Sequence, residues 1–368
     1  MNPRSFVTTL FFAFAVVLLR AEADQEEGSG SQKFQEITTE VPQDVTEIYL
    51  PPDCPSSGSH YPNTMFTILP SSEDDGDDGD KVRIETYPAD LVSATTKSGG
   101  NSLRLKWNDD VASNANEGGV KIYFPPSRLY DVSTAADAKV QILDGFTSME
   151  NIKVSSDSKL YATLNSLSDD ASLTMSISSD AEVQIVSNGN FNHVSVSSDA
   201  KVSLEALVVE HFKVSSDGEA EIKGNVGFAD ISSDAKLTID GNLTDGGETS
   251  SDSKLTVYGS VQGRIRASSD SKVYVGKHLD GNVDASSDAQ VRAPNCDTVS
   301  TSSDAKCVVD DSIDGSVDVD VEVLPFTLTG RQRCWWGNGG FTLSNMSGWQ
   351  AGVLAVIIIA IVTCCGFG

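Results

Sequence analysis

Carboxylates are the residues here with the clearest capacity for chemistry. Aspartates recur at Asp137, Asp157, Asp180, Asp199, Asp217, Asp234, Asp252, Asp270, Asp288 and Asp304, nearly all within Ser-Ser-Asp-Ala/Ser. Brought into line, the row Asp157, Asp180, Asp199, Asp217, Asp234, Asp252, Asp270 and Asp288 would offer a polymer, a mineral or divalent cations a regular polar edge. A plainer reading competes. Ser and Asp are turn formers because their side chains accept bonds from nearby backbone N–H groups. Aligned carboxylates about 5 Å apart repel by under ~1 kcal/mol each in water. Seven of the ten units also place Lys two residues later (139, 159, 201, 236, 254, 272 and 306). That describes a self-neutralising turn ladder that sets register. The glycine-rich nonapeptide of calcium-loaded solenoids is absent, and an ice-binding face would be flatter and less charged.

A second acidic cluster spans Glu73 to Asp80. Asp74, Asp78, Gly79 and Glu85 fit EF-hand positions 1, 5, 6 and 12, and Asp80 adds a carboxylate, but Gly76 takes the third ligand position and the flanks are not helical. A solvated acidic loop with weak Ca2+ binding is the expectation, and calcium is the one cofactor the sequence raises. His60, His193, His211 and His278 form no metal-spaced pair, and no nucleophile elbow, zinc-helix or phosphate-loop motif occurs. Nothing argues for an enzyme.

These carboxylates need elements to position them. From about 133 to 321 the chain repeats at 17 to 18 residues through the middle. Three residues after each Asp stands an apolar residue (Val140, Leu160, Val183, Val202, Ala220, Leu237, Leu255, Val273, Val291, Cys307), and two further on usually another, ending at Val309. Period two is strand. The same alternation precedes the turn at Ile152 with Val154 and Val194 with Val196. A third inward position is expected at Val208, Val226, Leu243, Val261 and Leu279, with glycines such as Gly224, Gly241, Gly259 and Gly263 in the gaps. One such coil cannot bury its inner face alone, but a stack can. The fold is therefore all-β, a parallel β-helix or solenoid of about ten coils with ~18-residue repeats. Residues 46–130 and 310–335 are expected to cap its open ends, which as bare strand edges would invite aggregation.

The termini carry addresses. Residues 1–23 read as a signal peptide, with Arg4, an apolar run and an Ala21-Glu22-Ala23 cleavage pattern. Residues 24–45 read as an acidic disordered lead-in, 46–130 as a β-rich N-terminal cap, 131–321 as the repeats and 322–350 as a C-terminal cap and spacer. Residues 351–368 are either a glycosylphosphatidylinositol signal or a single-pass helix with Cys364 and Cys365 as palmitoylation sites. Cys54, Cys296, Cys307 and Cys334 remain for two disulfides in an oxidising compartment. Asn242 and Asn345 begin N-glycosylation sequons. A net charge of −27 argues against nucleic acid as a partner. The expected location is the outer face of the plasma membrane.

The stretch Val120 to Val140 (a strand, Pro125-Pro126, then the first turn) and the unit Val154 to Leu160 resemble the auto-transporter adhesin head (GIN) domain over about 120 to 320. The resemblance implies a right-handed parallel β-helix and a surface or adhesive role, with no catalytic residues. A signal peptide, an acidic solenoid and a C-terminal anchor are also similar to the iron-starvation-induced surface proteins of algae, which implies uptake of chelated iron by endocytosis and a second location in endosomal vesicles. The expected function is membrane-anchored binding or adhesion, with an extracellular polymer or a small chelated ligand as partner. A nutrient receptor is the alternative and a structural wall component the third.

Overall fold

The computed structural model describes residues 33–37, 41, 44–53, 60–72, 81–96, 101–168, 171–319 and 327–333. Each repeat folds as one coil. Lys254–Val257 is a strand with Leu255 and Val257 inward, Val261 bridges Leu243 and Leu279 at a corner, and Arg264–Ala267 is a second strand with Ile265 and Ala267 inward. Ser268-Ser269-Asp270 then turns the chain into the next coil. Leu237, Leu255, Val273 and Val291 pair in register as one parallel column, each at most 1% exposed. Ten such strands follow ten turns, from Lys139–Ile142 to Lys306–Val309. Small inward side chains suffice because each is roofed by the coil above and floored by the one below.

The inward positions fall where the alternation puts them, with one shift. Val209 rather than Val208 fills the corner after Asp199, because the register slips between Glu205 and Val208. Such a bulge moves one residue across without disturbing the coils on either side.

Beyond the first repeat the stack continues toward the N-terminus out of chain order. The strands there are β1 (Gln35–Glu36), β2 (Glu47–Asp53), β3 (His60–Pro70), β4 (Arg83–Tyr87), β5 (Val92–Thr96), β6 (Ser102–Trp107), β7 (Glu117–Phe124), β8 (Asp131–Thr134) and β9 (Lys139–Ile142). A four-residue helix, α1 (Asp109–Ala112), joins β6 to β7. β2 and β3 lie parallel on β8 and β9, and β6 and β7 lie parallel on β2 and β3. β5 and β4 then close the end antiparallel, with β1 outermost on β4. Trp107 packs against Tyr61 at 5.2 Å and Phe66 at 6.3 Å, supplying the bulk the narrow repeats lack.

The segment expected to cap the C-terminal end goes elsewhere. Residues 310–319 run back along the flank of the stack instead of folding over the last coil. The Ile313 carbonyl lies against Gly276, Gly315 lies against the Tyr258 ring, and Val317 N–H donates to the Asp240 carboxylate at 3.3 Å. The strap thus descends one coil for every two residues, with Val317 and Val319 buried. Thr327–Arg333 then pairs antiparallel with the start of β3, and Arg331 Nε donates to Ala115 O at 3.1 Å. Cap and returning strand share one end of the stack. At the other end, among the described residues, nothing pairs beyond Lys306–Val309. Val308 and Val309 stay 46% and 66% exposed there, since no further coil covers them.

Candidate binding surfaces

The Ser-Ser-Asp turns do align, and backbone geometry explains why. The second Ser and the Asp are consecutive left-handed residues: φ is 56° and 58° at Ser156–Asp157 and 58° and 60° at Ser251–Asp252. Side chains other than Gly lose roughly 1–2 kcal/mol per residue there. The turn recovers this by pairing along the stack, because from Asp137 to Asp270 the Asp N–H donates to the second Ser carbonyl of the next coil. Asp157 N to Ser179 O, Asp180 N to Ser198 O, Asp252 N to Ser269 O and Asp270 N to Ser287 O are all 3.0 Å. The residue after Asp is buried and must be small: Ala181, Ala200, Ala235 and Ala289 fill it, as do Ser158, Ser253 and Ser271.

The side chains behave differently from expectation. Among the described residues, the carboxylates of Asp157, Asp180, Asp199, Asp217, Asp234, Asp252, Asp270 and Asp288 make no hydrogen bond or ion pair, so they do not brace their own turns. Nor do the lysines pair with them. Lys159 reaches the neighbouring coil's Glu182, and Lys236 reaches Glu219 at 3.9 Å. Two residues along a strand put Lys on the sheet face, too far from the carboxylate at the turn for an ion pair. Other cross-coil pairs join Lys213 to Asp230 and Lys223 to Glu205, each at 3.1 Å, and Arg266 to Glu248 at 2.7 Å. The result is a ribbon of unpaired, exposed carboxylates beside a face of mixed charge. At its first member, burial and then Asp157 raise the Asp137 carboxyl above its usual range, against Lys139. Burial and then Lys159 lower the Lys139 ammonium.

Of the calcium candidates only Glu85 lies within the described residues; Asp74, Asp78 and Asp80 lie outside them. Glu85 sits in β4, accepts from Tyr123 Oη at 3.3 Å and faces Arg83 at 3.7 Å. Burial, then Glu85, raises the Tyr123 phenol. Among the described residues no three His, Cys, Asp or Glu converge as metal ligands. His193 and His211 are exposed neighbours in one column, 6.5 Å apart between ring centres, with Phe228 next at 6.2 Å. Asn242, the sequon residue, belongs to an amide ladder: its Nδ2 donates to Asn225 Oδ1 at 3.1 Å, and its Oδ1 accepts Ser260 N–H at 2.9 Å.

Cys296 and Cys307 form a disulfide across the last coil. Cys307 continues the inward column beyond Val291 and packs, partly buried, against the core. Cys54, Cys334, the leader and the tail lie outside the described residues, and no described helix is long and apolar enough to cross a membrane. Two depressions lie on the surface of the described residues. A depression of about 380 Å3 is lined by Glu47, Tyr49, Arg104, Asp131, Asn151 and Lys153, with Arg104 4.9 Å over the Tyr49 ring. Another of about 430 Å3 lies by Met149 and Ser168.

Stack, turn ladder and open strand columns define a parallel β-solenoid with extended surfaces. No family model matches the chain, so the resemblance to the adhesin head domain rests on turn and strand alone. No curated protein matches either. A crystal structure of a Bacteroides fragilis protein provisionally described as an adhesin is similar at 16% identity, over 69% of this chain and 98% of that one, with a TM-score of 0.33.

Proposed function

We propose that the chain is a surface-held binding and adhesion rod, tethered by its C-terminal tail and presenting its coils to extracellular polymer or to other cells. The observation that carries this reading is the return strap. Residues 310–319 and 327–333 bring the chain back to the capped end, so a tail anchor would hold that end and leave the last coil outermost. At strand spacing of ~4.8 Å, ten coils project roughly 45 Å from the attachment. The exposed faces are long and regular rather than concave, which suits an extended partner better than an enclosed small ligand.

A tagged full chain followed in live cells tests this while iron supply is varied and cell-wall polysaccharide is offered. Adhesion predicts a constant surface signal and retention on polysaccharide or neighbouring cells. A saturable small ligand with labelled internal vesicles would replace it with the nutrient-receptor reading.

A further inference from the structure

The last strand, Lys306–Val309, pairs on one side only among the described residues. Lys306 N–H and Asp310 N–H donate back to Ala289 O and Ala293 O of the preceding coil. Backbone groups alternate in direction along a strand. Those of Cys307 and Val309 therefore point outward, away from the stack. This is a ready edge for strand addition, and the strap has carried the chain's own next segment away from it.

We propose that this edge pairs antiparallel with the same edge of a second copy about a two-fold axis at Val308. The partner is argued from self-complementarity. A two-fold antiparallel pair that joins outward-pointing groups to one another admits registers two residues apart. Of the registers centred within the strand, at Cys307, Val308 or Val309, only that on Val308 also opposes unlike charges, adding Lys306 to an Asp310 carboxylate that already accepts from Ser312 and faces Arg292 at 3.8 Å. It sets Cys307 opposite Val309 as hydrogen-bonded pairs and Lys306 opposite Asp310 twice, once on each side of the axis. Registers centred on Cys307 or Val309 oppose Lys306 to Val308 or Asp310 to Val308. The contact also covers Val308 and Val309, the most exposed apolar pair at this end at 46% and 66%. The Cys296–Cys307 disulfide pins the edge in place before it meets its partner. The inference deepens the adhesion reading, on which it rests for orientation, by naming another copy of this chain as what the outermost coil holds.

The test is sedimentation of the purified full chain in detergent micelles, as wild type, Lys306→Asp, Asp310→Lys and an equimolar mixture of the two variants. Each variant alone sets like charges opposite one another twice and should dimerise roughly tenfold more weakly. In the mixture every 306–310 contact is again unlike, so heterodimers should form within about threefold of wild type. Recovery in the mixture shows that both variants are folded. A wild type monomeric to about 100 µM, variants that dimerise like wild type, or a mixture that does not recover would each overturn the proposal. Polysaccharide or cell binding by a strictly monomeric chain would leave the adhesion reading standing while this one fails. Tip dimers without any such binding would do the reverse.

Discussion

Replacing Gly259 with Ala should destabilise the solenoid by several kcal/mol, although the position looks like an ordinary loop glycine. An added Cβ would lie 2.0 Å from the Gly241 carbonyl oxygen and 2.6 Å from its carbon. Gly241 stands in the same relation to Gly224, at 1.9 Å from its oxygen. At this corner each Cα faces the backbone of the coil beside it, and only hydrogen fits between. Relieving the contact requires a shift of about 1.2 Å, since carbon and oxygen cannot approach within roughly 3.2 Å without steep repulsion. That shift pulls on Tyr258 N–H to Ile239 O (2.9 Å), Leu243 N–H to Ser260 O (2.9 Å) and Ser260 N–H to Asn242 Oδ1 (2.9 Å). Three buried or half-buried bonds at about 1 kcal/mol each sum to ~3 kcal/mol. For a domain of this size that lowers Tm by about 6–12 °C. Circular dichroism melts of the full chain measure it. Gly189→Ala is the control, because the nearest atoms its Cβ would meet belong to the Leu167 and Ser187 side chains, none closer than 3.3 Å. Equal melting of Gly259→Ala and wild type would refute the close approach of coils at this corner.

Asp137→Asn should raise Tm at neutral pH and flatten its pH dependence. The folded carboxyl is raised above its ordinary 3.8, so its contribution is full below that value and is lost as pH rises through the folded one. Asn keeps the left-handed turn without the charge; a Tm for the variant that falls with rising pH as in wild type would count against this. Asp234→Asn, Asp252→Asn and Asp270→Asn together should leave the fold intact, because those carboxylates support no bond, and a loss of β-sheet signal would show that they do. Lost polysaccharide retention in that folded triple variant would place binding on the ladder. Removing the disulfide with Cys296→Ser and Cys307→Ser frees a link of sequence separation 11, worth roughly 3 kcal/mol on chain entropy. In a stack whose coils contact only neighbours, the cost should appear as faster hydrogen exchange across 296–309, with the midpoint of the central coils unchanged.

The repeat itself was legible because two periods are written in adjacent residues. Alternation of Leu255 with Val257 gives a strand, and its return after 18 residues as Val273 with Val275 gives a stack. Inward faces, narrow core and turn positions follow from those short-range patterns. What lay between coils was not legible. The turn residues announce a turn, but the ladder from Asp N–H to the next coil's Ser carbonyl exists only once coils are stacked. The carboxylates, expected to brace the turns, are left unpaired for that reason. Gly241 and Gly259 read as punctuation, and their need to be glycine arises from a neighbour 17 or 18 residues away. The largest surprise is the strap. Val317 to Val323 alternates valine and acid in sequence much as a further strand would, and nothing local distinguishes continuing the stack from turning back along it. Its direction is decided by partners far along the chain, Asp240 for Val317 and the start of β3 for Thr327–Arg333. Sequence determined what one coil is, because a coil is built from neighbours in the chain. Tertiary structure alone decided which end of the stack is capped and which, among the described residues, carries no further strand, because that depends on contacts made across the whole rod.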